Sequence, residues 1–200
     1  MQHFQHSVSK ASKKVKKLFK KFSKWLNARP TLVISFGLFI FFVGASHYYQ
    51  IRILSFTKPI AVAETAQRGE LPVHIMIPSI GIDLPIDLGQ IKDGVWQISY
   101  NNPTFLNTSA RPGTGGNVVI YGHNKKVIFG NLPYLSIGQK ILIKTTSGKI
   151  YSYITYQKDF VAPNRVDLVS PSNTEELTIY TCWGFFDTQR AVIKAKPIAS

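Results

Sequence analysis

An all-β domain behind one N-terminal membrane-spanning helix is the fold this 200-residue sequence predicts. Three observations predict it. Residues 30–51 form one apolar run without Asp, Glu, Lys or Arg, set between Arg29 and Arg52. The segment before that run is purely basic. After residue 70 the chain breaks into short stretches rich in Val, Ile, Tyr and Thr, bounded by Gly, Pro, Asn or Ser, which is a strand signal. No long segment after the apolar run shows a strong 3.6-residue period. Many short strands with turns between them imply a sandwich or a closed barrel, and closure would remove exposed sheet edges.

The tail comes first. Residues 1–29 hold eight lysines and one arginine with no acid, so 15 of the 24 basic residues remain to face 10 acidic ones in the rest of the chain. The net charge of +14 therefore describes mainly the tail. Its lysines are interleaved with Val15, Leu18, Phe19, Phe22, Trp25 and Leu26 at steps of three and four, the pattern of a basic amphipathic helix on anionic lipid. A solvated tail that only sets topology fits the same charges. Nucleic-acid binding is not expected, because the adjacent apolar run already accounts for the lysines.

The run at 30–51 is about long enough to cross a hydrocarbon core, which takes roughly 20 apolar residues. His47-Tyr48-Tyr49-Gln50 suits a membrane interface. The rival is a cleaved signal peptide ending near Val43-Gly44-Ala45, but the long basic region and the aromatic end favour a retained anchor. Either way the following domain is exported. With the basic side cytoplasmic, residues 71–200 form the extracytoplasmic domain. Residues 52–70 lack a period and read as a linker or short helix.

Strands are then expected at Val73–Ile77, Ile80–Ile86, Asn117–Tyr121, Lys140–Lys144, Lys149–Tyr156, Leu177–Trp183 and Arg190–Lys194. One helical turn each is expected at Asn102–Asn107 and Ile128–Leu135. Arg111–Asn117 is a turn cluster whose glycines allow positive φ.

Three residues carry the chemistry. Cys182 is the only cysteine, so an exported chain leaves it without an internal disulfide partner, which suggests a reactive thiol or an intermolecular bond. A free cysteine on a strand is commonly a small buried hydrophobe. Alternation puts Thr178, Tyr180 and Cys182 on one face, and Leu177, Ile179 and Thr181 on the other. To act, the thiol must ionise, and a neighbouring imidazolium or guanidinium lowers its pKa from about 8.5. His123 closes the run Asn117–Gly122 and precedes the polar Asn124-Lys125-Lys126, at the rim of the sheet. His3 and His6 lie in the tail, His47 at the interface, and His74 faces solvent between Val73 and Ile75. Arg190 follows Cys182 after seven residues, a hairpin spacing that brings both to the same end of adjacent antiparallel strands. A guanidinium there can stabilise an oxyanion; its bland alternative is a strand-end salt bridge. Nucleophile, proton carrier and cation together point to thiol acyl transfer. Nothing suggests zinc, since the chain has no CxxC and no HExxH.

These residues resemble the sortases, membrane-anchored cysteine transpeptidases of bacterial surfaces. The resemblance covers about residues 70–197. It includes Ile77-Pro78, Ile80–Ile86, Pro112-Gly113, Gly116–Asn124 with His123, Phe129–Leu132, and Thr178–Cys182 with Arg190 downstream. Ile179 stands where the family pattern has leucine. The resemblance implies a closed eight-stranded β-barrel with short helices. It implies that Cys182 cleaves a C-terminal Leu-(Pro or Ala)-x-Thr-Gly-like sorting signal between Thr and Gly through a thioacyl-enzyme. His123 moves the proton, Arg190 holds the substrate backbone and oxyanion, and Thr181 and Tyr121 bear on substrate binding. The implied partners are signal-bearing surface proteins, a peptidoglycan-type amine acceptor and the lipid around the anchor. No cofactor is required. Calcium is not called for, because Asp83, Asp87 and Asp93 match no known loop pattern. The short Cys182–Arg190 loop resembles the class D or E members, and Tyr121 the class E members. A cysteine peptidase that mainly hydrolyses, and a non-catalytic anchored β-domain of adhesin type, are the alternatives; reactivity of Cys182 toward an alkylating agent separates the enzymes from the binding module.

Overall fold

The computed structural model describes residues 16, 24, 30–52, 68–92 and 95–198. Most of the amphipathic tail and of the expected linker, as well as Asp93, lie outside the described residues. The chain divides into two compact units, residues 1–49 and 50–200.

The helix α1 (Pro30–Arg52), all but its last three residues in the first unit, forms as the sequence predicts, with proline in its first turn, where a missing N–H costs nothing. All its described side chains, residues 30–46, are exposed. Among the described residues, no helix is long and apolar enough to cross a membrane. The helix is present where the sequence predicts it, and the expected crossing is not shown by the described residues.

Among the described residues, the second unit holds eleven strands. They are β1 (Pro72–Ile77), β2 (Ile82–Pro85), β3 (Asp87–Gly89), β4 (Ile91–Lys92), β5 (Val95–Trp96), β6 (Thr104–Leu106), β7 (Asn117–Gly122), β8 (Lys140–Thr145), β9 (Ile150–Val161), β10 (Glu176–Trp183) and β11 (Gln189–Pro197). Nine of them form one sheet in the order β2-β1-β8-β9-β11-β10-β7-β6-β3, and β4 pairs with β5. The two ends of the nine-stranded order, β2 and β3, are separated in the chain by Ile86 alone, whose N–H donates to Val73 O at 2.9 Å. The sheet therefore returns to its starting point along one bent run of chain, giving a nearly closed barrel. Counting β2 and β3 as that one bent strand recovers the expected eight, although no hydrogen-bonded ladder joins the two segments.

Alternation sorts the side chains into two clusters. Ile75, Ile77, Val118, Ile120, Ile141, Ile143, Leu177, Ile179 and Ile193 point inward and fill the barrel. Val119, Tyr121, Tyr180, Cys182 and Val192 share the opposite face and pack with Trp96 and Leu106. This second layer exists because the chain between β3 and β6 folds over the outside of β7 and β10. Trp96 meets Tyr121 edge-on at 5.3 Å and Tyr180 at 6.3 Å.

Two expectations change. Asn102–Asn107 holds the strand β6 rather than a helical turn, because Phe105 pairs with Ile120 of β7 and buries in the barrel; long-range pairing outweighs local pattern in short strands. The Ile80–Ile86 run becomes a 3-10 turn at Pro78–Ile80 followed by β2. Elsewhere the runs hold. Leu132–Tyr134 is a 3-10 turn within the expected Ile128–Leu135, and Gly113, Gly115 and Gly116 all take positive φ in the turn ahead of β7.

Candidate active site

Strand register brings the three candidate residues into one row. Across the antiparallel pair β10–β11, Cys182 is directly opposite Arg190. Across the parallel pair β7–β10, Thr181 is opposite Gly122, so the next residues along, Cys182 and His123, continue the same row. Paired residues project to the same side of a sheet. The thiol thus stands on the outer face between the strand that delivers the imidazole and the strand that delivers the guanidinium.

His123 and Cys182 line a cleft of about 330 Å³ together with Tyr100, Asn124, Lys125 and Asp187. Cys182 is 4% exposed, so only its approach from the cleft is open. His123 is set by the turn that follows it: the Phe129 N–H donates to its carbonyl at 3.3 Å, and the Ile128 and Gly130 N–H groups both donate to Lys125 O at 2.8 Å. A Cβ at Gly122 would come within 2.9 Å of the Phe129 ring, so glycine lets that turn close tightly against β7. Tyr100 stands edge-on to the His123 ring at 6.4 Å. The Lys125 ammonium lies over the Tyr100 ring, 3.1 Å from its centroid, and donates to the Tyr100 carbonyl at 3.0 Å.

Arg190 is 1% exposed. A buried charge is tolerable only when hydrogen-bonded, and its Nη1 donates to Asp187 O at 3.0 Å and to Gln189 O at 2.9 Å. Gln189 opens β11, and Asp187 belongs to the loop joining β10 to β11, where Phe186 and Asp187 hold φ of 52° and 59°. Two successive non-glycine residues in the left-handed region are strained. The guanidinium braces this loop and, with it, the Asp187 wall of the cleft.

The other two predicted residues sit behind the cleft. The Thr181 hydroxyl is buried and donates to Gly122 O at 2.8 Å, on the opposite face of β10 from Cys182. It ties β10 to β7 at the level of the thiol and imidazole. Tyr121 is fully buried, stacks on Tyr180 at 5.6 Å with 14° between the rings, and donates its hydroxyl to Gln97 O. It therefore secures the segment that carries Tyr100. Burial pushes the Tyr121 phenol well above its ordinary pKa and does the same to Tyr180.

Comparison with known proteins agrees with this geometry. The Sortase domain model matches residues 75–198. This chain belongs to the sortase family. YwpE of Bacillus subtilis (strain 168), a protein named as a sortase by inference, is 33% identical over 89 residues, which are 42% of this chain and 86% of that protein. Among solved structures, a lid mutant of sortase A from Corynebacterium diphtheriae is 26% identical with a TM-score of 0.56, covering 67% of this chain and 74% of its own. The sortase D5 transpeptidase of Clostridium perfringens is 29% identical with a TM-score of 0.55, covering 64% and 79%. Clostridium perfringens sortase C, solved with the C-terminal cell wall sorting motif, is 22% identical with a TM-score of 0.54 and covers 67% and 75%; at that identity it speaks to the fold alone. Members of the family are cysteine transpeptidases, and this sortase has its one cysteine, Cys182, at the cleft.

Sequence reasoning missed Tyr100, Lys125, Asn124 and Asp187 as cleft residues of this sortase. Asn124 and Lys125 follow His123 directly, and Asp187 lies in the loop between Cys182 and Arg190, so adjacency alone could have found them. Tyr100 carries no such signal. It reaches His123 only because Trp96 and Gln97 are pinned against Tyr121. Of the other residues weighed, His74 is not simply solvated: its Nε2 meets Asp83 Oδ1 at 2.5 Å. Asp87 accepts from Asn102 Nδ2 at 3.1 Å.

Proposed function

We propose that this chain is a membrane-anchored transpeptidase of class D or E type. It cleaves a Leu-(Pro or Ala)-x-Thr-Gly-like signal between Thr and Gly and passes the signal-bearing protein to an amine of the cell wall. The observation that carries this reading is the row His123–Cys182–Arg190 at the ends of three adjacent strands, with His123 and Cys182 lining one cleft and Arg190 paired across β11 from the thiol.

The chemistry follows from those three groups. The Cys182 thiolate attacks the threonine carbonyl carbon, and a C–S bond forms as the carbonyl electron pair moves onto oxygen. Arg190 offers positive charge to that oxyanion, since donors aimed at developing charge carry most of such catalysis. The oxyanion collapses, the C–N bond to glycine breaks, and the leaving amine takes a proton from the His123 imidazolium. A thioester and a free glycine amine result. An incoming amine then attacks the thioester and gives a proton to His123, the C–S bond breaks, and the Cys182 thiolate and His123 imidazolium are restored. Water competes at that last step, and amine-dependent product formation separates transfer from hydrolysis.

The anchor reading rests on the 22 uncharged residues between Arg29 and Arg52 and the helical conformation of α1. It puts the basic tail in the cytoplasm and the barrel outside.

The test is intact mass of the protein after incubation with Leu-Pro-x-Thr-Gly and Leu-Ala-x-Thr-Gly peptides. A mass gain matching the peptide up to its threonine, absent in Cys182→Ala, is expected. Equal turnover of peptides lacking the threonine, or adducts that survive Cys182→Ala, would overturn the assignment.

A further inference from the structure

Away from the cleft, the outer face of β8, β9 and β11 carries a lattice of lysine and isoleucine. Alternation turns Ile141, Ile143, Tyr153 and Ala195 into the barrel, all fully buried. Lys140, Lys144, Ile150, Ile154 and Lys196 therefore face outward, and each is exposed. Register sets them side by side. Lys140 pairs with Ile154 and Lys144 with Ile150 across β8–β9, while Lys196 pairs with Ile154 across β9–β11. Ile154 thus lies between two lysines. Lys149, Ile150, Ser152 and Ile198 line a depression of about 340 Å³ on the same face.

The Lys196 ammonium lies over the Tyr156 ring, 4.6 Å from its centroid, on the outside of the sheet. Among the described residues, Lys140, Lys144 and Lys196 enter no ion pair. Two carboxylates stand at the margin: Glu70, held by Thr145 and Ser147 and attracted by Lys149, and Asp83, held by His74. The face also adjoins the place where the chain reaches the domain. Glu70 accepts from Ser147 at 2.6 Å in the β8–β9 turn, and the Thr146 N–H donates to Leu71 O at 3.0 Å.

We propose that this face rests on anionic phospholipid, with the lysines on headgroup phosphates and Ile150, Ile154 and Ile198 at the acyl boundary. The proposal leans on the anchor reading, because the anchor keeps a bilayer within reach of residue 70. Charge complementarity alone would also suit a soluble phosphate polymer. The exposed isoleucines decide for lipid, since a polyanion gains nothing from them and an interface accepts both. Lys196 lies six residues along β11 from Arg190, roughly 20 Å at strand rise, so the face and the cleft act independently.

The experiment uses the full chain in nanodiscs of phosphatidylcholine, with and without phosphatidylglycerol. Acetylation of each lysine is followed by mass spectrometry. Anionic discs should slow modification of Lys140, Lys144 and Lys196 by about fivefold or more, the factor one lysine near an anionic leaflet is worth. Lys125 at the cleft should not change, and high salt should erase the protection. Equal rates in both discs would overturn the proposal, as would equal protection by soluble polyphosphate in neutral discs. If the chain is not retained by neutral discs at all, the anchor reading fails. The face is then read from flotation with phosphatidylglycerol vesicles: binding lost in K140E/K144E/K196E supports it, and no binding, or binding indifferent to those changes, overturns it. The triple variant should keep full peptide turnover in detergent.

Discussion

At the residue scale, the row of three separates into groups with different dependence on their surroundings. Cys182 stands in the cleft wall, and under the proposed mechanism its removal should eliminate the covalent intermediate with no more than a small change in stability. Arg190 braces the 184–188 loop through Asp187 O, and the proposed mechanism gives it a second task, offering charge to the oxyanion. We predict that Arg190→Ala lowers kcat about 100-fold or more, the scale of losing an oxyanion donor, and also lowers Tm, because the carbonyls of Asp187 and Gln189 lose their donor. Near-full turnover in that variant would remove Arg190 from the chemistry. Thr181 is the sharper test of positioning. Thr181→Val keeps volume but leaves Gly122 O without its side-chain donor, at a cost of about 1–3 kcal/mol for an unsatisfied buried group. We expect a lower kcat with KM nearly unchanged, and recovery in Thr181→Ser. A rise in KM alone would instead point to direct substrate contact.

At the element scale, backbone conformation at Gly122 and Phe186 shapes the two loops flanking the cleft. Adding a Cβ at Gly122 must push β7 away from Phe129, and the displacement reaches the very next residue, His123. Gly122→Ala should cost about 1–3 kcal/mol, as overpacking does, and reduce turnover, read by urea denaturation and peptide cleavage. On the other side, Phe186 is mostly exposed yet held at φ 52°. Asparagine tolerates that region better, so Phe186→Asn should stabilise the protein by about 1 kcal/mol. An unchanged denaturation midpoint would show that the loop stores no strain there. The strands themselves were legible because Val, Ile, Tyr and Thr alternate in them. The short β3, β4, β5 and β6 were not, because three residues or fewer hold no period and their pairing partners lie elsewhere in the chain.

At the scale of the whole molecule, the barrel buries several phenols whose ionisation is opposed by their surroundings. Burial raises the Tyr121, Tyr153 and Tyr180 hydroxyls far above their usual range, with Glu175 adding to the effect at Tyr153. Burial and Glu176 push Tyr156 up to about 12. For an acid whose folded pKa is raised, the folded state keeps a proton that the unfolded state releases. Stability is therefore intact below about pH 10 and falls as pH rises past that value, by about 1.4 kcal/mol per pH unit for each such tyrosine. Thermal midpoints measured from pH 8 to 11.5 should be flat at first and then drop steeply. A midpoint constant to the upper limit would contradict the buried, protonated state of these phenols.

How much was written in the chain depends on the range of the interaction. Composition and two-residue alternation by themselves determined the all-β character, the helix at 30–52, and the division of Thr178, Tyr180 and Cys182 from Leu177, Ile179 and Thr181, since each is a local property of consecutive residues. Hairpin spacing likewise placed Cys182 level with Arg190. Only the tertiary structure decided that β7 lies parallel to β10, because no local feature names a partner some 60 residues away. That single pairing sets His123 beside Cys182. It was also tertiary packing, through Trp96, Tyr121 and Gln97, that carried Tyr100 to the cleft and turned Thr181 and Tyr121 into supports behind it rather than walls of it. Side-chain direction follows from alternation, but what stands on each face of a strand follows from which other strands arrive there.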